Sequence, residues 1–112
     1  TFEGKMQDFV KSTELFIKSG NINEADICFG KALVSANEKQ KVGIKIKIKD
    51  IYKVQAKEYL NRDKRKHAME TYEKLLTLDL DPLEKKETQQ NLLQMYEKLG
   101  KVKEYFALQK II

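Results

Sequence analysis

A short pattern occurs three times along the 112 residues of this chain. In each copy a glycine or aspartate follows an aromatic residue by four positions, and in the first two copies an alanine follows five positions later. Two antiparallel helices that cross closely need this arrangement, since the turn residue ends the first helix and the small residue lies at the crossing. The pattern therefore predicts an all-α chain, an α-solenoid of about three antiparallel helical hairpins with six helices. The copies contain Phe16, Gly20 and Ala25, then Tyr59, Asp63 and Ala68, and finally Tyr96 and Gly100.

The composition favours a soluble helical protein. Hydrophobic residues make up 41% and charged residues 35% of the chain, which suits one domain with a modest core. No apolar run is long enough to span a membrane and no signal-peptide pattern opens the chain, so we expect a soluble protein. Cys28 is the only cysteine, which favours a reducing compartment, the cytoplasm or alternatively the nucleus. The net charge of +5 favours acidic partners.

The two ends of the chain suggest a piece of a larger protein. The chain begins with Thr1 rather than methionine, and it ends with Ile111 and Ile112 in an apolar stretch that has no capping residue. The end of a solenoid stays exposed unless more chain or a partner covers it. We therefore expect residues 1–112 to form a single module, with self-association through the C-terminal end as one way of covering these isoleucines.

Helical periodicity places the three hairpins at about residues 6–36, 40–79 and 83–112. Asn23 is the expected N-cap of the second helix. The fourth helix is expected to continue to Leu78, because the residue before Pro82 is pushed out of helical geometry. Pro82 also suits the first turn of the fifth helix.

Residues 39–60 allow two interpretations. Isoleucine and lysine alternate strictly from Ile44 to Lys49, which alone is typical of a half-buried strand. A lone strand would leave its backbone groups unpaired, however, and the apolar residues from Ile48 to Tyr59 recur with a period of 3.6. We therefore predict a helix.

These residues resemble the tetratricopeptide repeats, a family of 34-residue helical hairpins with aromatic and small residues at fixed positions. The third copy departs from the family pattern because Tyr105 stands where the alanine belongs. In the first two copies, the matching residues are Phe9, Thr13, Phe16, Gly20, Ala25, Phe29 and Ala32, and then Tyr52, Ala56, Tyr59, Asp63, Ala68, Tyr72 and Leu75.

The copies are spaced more widely than in the family consensus. Ala68 follows Ala25 by 43 residues, and Gly100 follows Asp63 by 37. Longer helices explain this spacing, as in the long-repeat variants of the family. We expect residues 40–48 to add more than two turns to the front of the third helix.

The resemblance implies a protein–protein interaction module, a scaffold or adaptor. Such repeats bind a partner segment in a groove lined by the first helix of each hairpin. Carried over residue by residue, the groove positions are Val10, Lys11, Glu14 and Ile17, then Lys53, Val54, Lys57 and Leu60, and finally Gln90, Asn91, Gln94 and Glu97.

Five lysines repeat every four residues along the third predicted helix: Lys41, Lys45, Lys49, Lys53 and Lys57. Lysine runs are most often solvated faces, with nearby acidic residues interleaved. The alternative is an acidic partner laid in the groove, because clustered lysines attract and hold anions.

Other functions have weaker support from the residues. Binding of RNA or another anionic ligand would use the lysines, but base stacking needs exposed aromatic residues between the charges. A peptide-sensing domain of a transcription regulator is a further alternative that nothing in the chain discriminates. His67 and Cys28 lack a third orienting group, so we expect no enzyme, no cofactor and no metal site. Asp79, Asp81 and Glu84 crowd one turn, where capping is a better explanation than cation binding.

Overall fold

The computed structural model describes residues 2–112, and in that range the helices are joined by turns and loops with no β-strand. This confirms the prediction of an all-α chain with six helices. No helix in the described range is long and apolar enough to cross a membrane. The helices are α1 (Phe2–Lys18), α2 (Ile22–Val34), α3 (Glu38–Asn61), α4 (Arg65–Leu75), α5 (Pro82–Lys98) and α6 (Val102–Ile111).

The chain forms two compact units, and the division between them falls inside α3. The first unit ends at Ile51 and the second begins at Tyr52. In the first unit α1 packs against α2. In the second unit α5 packs against both α4 and α6.

The helix predicted over residues 39–60 is confirmed, and its burial explains the alternating sequence. Ile44 and Ile48 are buried, whereas Ile46 between them is 50% exposed. Residues four apart lie on the same face of a helix, and a residue two positions away lies nearly opposite. An isoleucine at every second position therefore serves both a buried and an exposed face. At 24 residues, α3 is the longest helix in the described chain and accounts for the wide spacing of the first two copies.

The three predicted turn residues share one backbone geometry. Gly20, Asp63 and Gly100 all have positive φ, at 82°, 59° and 68°. In each turn the next amide N–H donates to the carbonyl of the repeat aromatic five residues earlier, and all three N···O distances are 2.8 Å. This is the hydrogen-bond pattern of a Schellman motif, which satisfies carbonyls at the end of a helix. The internal repeat is therefore present in the backbone as well as in the residue types.

The helices begin in two different ways. α3 and α5 begin at a capping box, in which two side chains each accept a hydrogen bond from the other residue's backbone N–H. Asn37 and Gln40 form the first box, at 2.8 and 2.9 Å, and Asp81 and Glu84 form the second, at 2.8 and 3.0 Å. The capping role expected for the acidic cluster is therefore confirmed for Asp81 and Glu84.

The helices that follow the three turns begin without such caps. α2, α4 and α6 have no side-chain hydrogen bond at their N-cap residues. The prediction that Asn23 caps α2 is wrong, because α2 starts at Ile22 and the N-cap position falls on Asn21. The Asn21 amide instead donates to the Ser19 hydroxyl at 3.0 Å.

α4 ends earlier than predicted. It stops at Leu75, and the next three residues form tight turns in place of the expected last helical turn. The N–H of Thr77 and of Leu78 each donates to a carbonyl only three residues earlier, at 3.0 Å. The Thr77 hydroxyl donates to the Lys74 carbonyl at 2.6 Å and satisfies the end of the helix.

Most residues of the repeat signature are buried. Alanines 25, 32, 56 and 68 are fully inaccessible, as close helix crossings require. Among the aromatic residues Tyr52, Tyr59, Tyr72 and Tyr96 are buried, whereas Phe9, Phe16 and Phe29 are half-buried.

Two glycine substitutions are expected to change stability in opposite directions. A Cβ at either Gly30 or Gly100 would meet no atom within 4 Å, so neither substitution introduces a clash. Gly100→Ala should destabilise the protein by about 1 kcal/mol, because alanine disfavours a positive φ. Gly30→Ala, within α2, should stabilise it by about 0.5–1 kcal/mol. Urea unfolding of both variants measures the difference, and shifts of the midpoint in the same direction would contradict the turn geometry.

Candidate binding surfaces

In the second unit, α3 presents an exposed basic and apolar strip. Val54 is 65% exposed, and Lys57 is also exposed one turn further along the helix. Leu60, the last groove position predicted on this helix, is half-buried. Residues three apart on a helix are neighbours, so an apolar side chain and an ammonium group are presented together.

Lys53 lies one turn before Lys57 but is held by another helix. Its ammonium group pairs with the Glu84 carboxylate at the start of α5, and the Glu84 side chain is only 13% exposed. The ion pair joins residues that are 31 positions apart in the chain. Of the lysine ladder, Lys53 is therefore a structural contact as well as a surface charge, whereas Lys57 is exposed.

The predicted groove positions on α5 form a polar face. Gln90, Gln94 and Glu97 are exposed, and Asn91 is half-buried. The neighbouring Gln89 is buried, and no buried side-chain polar atom in the described chain lacks a hydrogen-bond partner. The exposed amides can therefore donate to and accept from a partner without disturbing the core.

In the first unit, the predicted groove positions divide between core and surface. Val10 is 7% exposed and Ile17 is buried too, so they belong to the core and offer a partner almost no surface. The helix turns by about 100° per residue, and a small error in its phase moves a side chain from surface to core. Lys11 and Glu14 lie closer to the surface and pair at 3.1 Å. The hydrogen bond from Lys11 lowers the pKa of the Glu14 carboxyl group, although burial opposes this.

The part of α3 in the first unit carries exposed apolar residues that we did not predict. Val42 and Ile46 lie one turn apart and are both largely exposed. Lys45 is exposed beside them, whereas Lys49 is half-buried and has further interactions, and Lys41 pairs with Glu38 at 3.0 Å. The sequence signal for this surface was Ile46 in the isoleucine–lysine alternation. A helix that buries Ile44 and Ile48 must place Ile46 on another face.

An open pocket of about 140 Å³ lies between α5 and α6 in the second unit. Tyr105 and Phe106 meet edge to face in its wall, with ring centroids 5.4 Å apart. In the sequence, Tyr105 stood out only as a departure from the repeat, and the pocket was not predicted. The lining residues are Tyr96, Glu97, Gly100, Val102, Tyr105 and Phe106.

Tyr96, which lines this pocket, has its hydroxyl held by a residue of a neighbouring helix. It donates to a Glu73 carboxylate oxygen of α4 at 2.7 Å. Burial, followed by the hydrogen bond and charge of Glu73 and then the charge of Glu104, raises the pKa of Tyr96 well above its ordinary value. The hydroxyl is therefore neutral at physiological pH and holds α5 against α4.

His67 and Cys28 lie in different units and are not brought together by either unit. His67 is exposed, and its ring centroid lies 5.2 Å from that of Tyr59. Cys28 is half-buried.

Compared with models of protein families, with curated proteins and with solved structures, the chain matches none of them. Its relation to the tetratricopeptide repeats therefore remains a prediction from the residue pattern.

Proposed function

We propose that this chain is a tetratricopeptide-like module that binds a segment of another protein through the exposed face of α3. The observation that carries the proposal is the exposure of Val54 and Lys57 side by side on α3. Apolar groups provide affinity when buried by a partner, and charge provides orientation and a faster encounter. The three equivalent turns support a helical-repeat scaffold for this surface.

The bound segment is acidic and partly apolar. An exposed valine beside a lysine is complemented by a leucine or isoleucine beside a glutamate. In the first unit, Val42, Lys45 and Ile46 present the same combination. The net charge of +5 further steers acidic segments towards the chain.

Reversing one lysine is expected to weaken this binding about tenfold. The probe is a short labelled peptide with glutamate and leucine at helical spacing, measured by fluorescence anisotropy at low and at physiological salt. Lys57→Glu removes an attraction and adds a repulsion at the proposed contact, which is worth about 1.4 kcal/mol. Val54→Asn should weaken binding about threefold by removing apolar contact area.

Lys66→Glu is the matched control. Lys66 is an exposed lysine of the same unit, on α4, so its reversal changes the net charge equally without touching α3. Equal losses for both reversals would contradict a specific contact on α3. Two further probes test the partner class. Binding of a peptide with lysine in place of glutamate as tightly as the original peptide would overturn the proposal, and so would tighter binding of single-stranded oligouridine. The second result would favour RNA as the ligand.

A further inference from the structure

The pocket between α5 and α6 lies at the one departure from the repeat pattern. Ala25 and Ala68 are fully buried at the repeat position that was predicted to lie at a close helix crossing. Tyr105 occupies this position in the third copy and is half-buried. A phenol ring is much larger than the methyl group of alanine, and here it lines the open pocket of about 140 Å³.

The lining of this pocket has an unusual chemistry. Three of its six lining residues are aromatic, Tyr96, Tyr105 and Phe106, and a fourth is the carboxylate Glu97. The Phe106 side chain is 60% exposed, which is a large apolar area for a single aromatic ring to leave in water. The volume is too small for a drug-sized molecule and suits one compact group.

We propose that this pocket is an aromatic cage that binds a methylated ammonium group. Aromatic faces attract organic cations through the ring quadrupole, and methyl groups lower the cost of removing such a cation from water. The carboxylate of Glu97 supplies the counter-charge. A trimethylated lysine side chain and a choline-like small molecule carry the same group.

The charges around Tyr96 support a cationic ligand. The Glu73 carboxylate accepts a hydrogen bond from the Tyr96 hydroxyl, and Glu104 also acts electrostatically on Tyr96. Glu97 is exposed at the pocket itself. Lys98, Lys101 and Lys103 are also exposed near this end of the chain, so water and salt screen their charges and that of Glu97 alike, and the aromatic faces carry most of the selectivity for a cation. This site is separate from the α3 face and does not depend on the proposed function.

A titration with matched ligands tests the cage. The protein is titrated with choline and with its neutral isostere 3,3-dimethylbutan-1-ol, and the amide signals of Gly100 and Tyr105 are followed by NMR. Choline is expected to shift these signals and to bind at least about fivefold more tightly than the isostere, as a cation–π contribution of about 1 kcal/mol requires. Equal affinities would reduce the site to a plain apolar pocket and overturn the proposal, as would unchanged signals.

Two variants separate the aromatic and the charge contributions. Phe106→Leu keeps an apolar side chain but removes the ring, and it is expected to weaken choline binding about fivefold while leaving the isostere unchanged. Glu97→Gln should weaken choline about threefold, whereas the control Glu87→Gln at an exposed position of α5 should not. Equal effects of the two glutamate variants would contradict the assignment of Glu97. Short peptides with trimethylated or unmodified lysine then distinguish a protein ligand from a free choline-like molecule. Tighter binding of the methylated peptide than of choline indicates a protein ligand.

Discussion

Replacing Ala68 with arginine is expected to destabilise the second unit by more than about 3 kcal/mol. Ala68 is fully buried in α4, and the larger side chain would force the surrounding helices apart. The guanidinium group would also be taken out of water without an opposite charge to pair with it. A unit of this size has a total stability of only a few kcal/mol, so we expect it to be largely unfolded at room temperature. Circular dichroism during thermal and urea unfolding measures the loss.

Ala107→Arg is the matched control for this substitution. Ala107 is an exposed alanine of α6, so the same change adds the same charge without filling the core. Its free energy of unfolding should change by no more than about 0.5 kcal/mol. A melting curve for Ala68→Arg that coincides with that of Ala107→Arg would show that the assignment of Ala68 to a close helix crossing is wrong.

Replacing Glu84 with alanine is expected to cost the second unit about 2 kcal/mol. One carboxylate oxygen accepts the Asp81 N–H at 3.0 Å to complete the capping box of α5, and the other pairs with the Lys53 ammonium group. Alanine removes both, and each interaction is worth about 1 kcal/mol at a partly buried site. Urea unfolding of the variant gives the difference in the free energy of unfolding.

Glutamine at the same position separates the two interactions. Glu84→Gln retains an oxygen that can accept the Asp81 N–H but removes the charge that pairs with Lys53, so we expect about half of the loss. Glu87→Ala, at an exposed position in the same helix, should change the free energy of unfolding by less than about 0.5 kcal/mol. If Glu84→Ala, Glu84→Gln and Glu87→Ala all have the same free energy of unfolding, the Lys53–Glu84 pair contributes nothing to stability.

The helices and their turns were predictable because their signals are local and periodic. Gly20, Asp63 and Gly100 follow an aromatic residue at a constant spacing, and the structure gives all three the backbone expected of a helix end. The decision on α3 relied on a period that continued over Ile48 and Tyr52, both of which are buried. A strand would have placed Ile46 on the same face as Ile44 and Ile48, whereas Ile46 is exposed and the other two are buried.

Helix boundaries were less predictable than the existence of the helices. The first residue of α3 was missed by two positions because the cap formed by Asn37 and Gln40 lies outside the apolar pattern. On α1, the groove positions carried over from the resembling family placed Val10 at the surface. The structure buries it instead.

The features with the most chemistry depend on contacts between distant residues. No periodicity relates Lys53 to Glu84, because their pairing follows from where two helices lie after folding. The pocket beside Tyr105 likewise needs α6 in place before it exists. The departure at Tyr105 was visible in the sequence, but the pocket that it lines was not.

The shared geometry of the three turns has a consequence for how the chain folds. Each turn closes within three residues, between Lys18 and Ile22, between Asn61 and Arg65, and between Lys98 and Val102. Contacts around such short connections are local in sequence, so little chain entropy is lost in bringing the neighbouring segments together. Local contacts of this kind favour rapid folding.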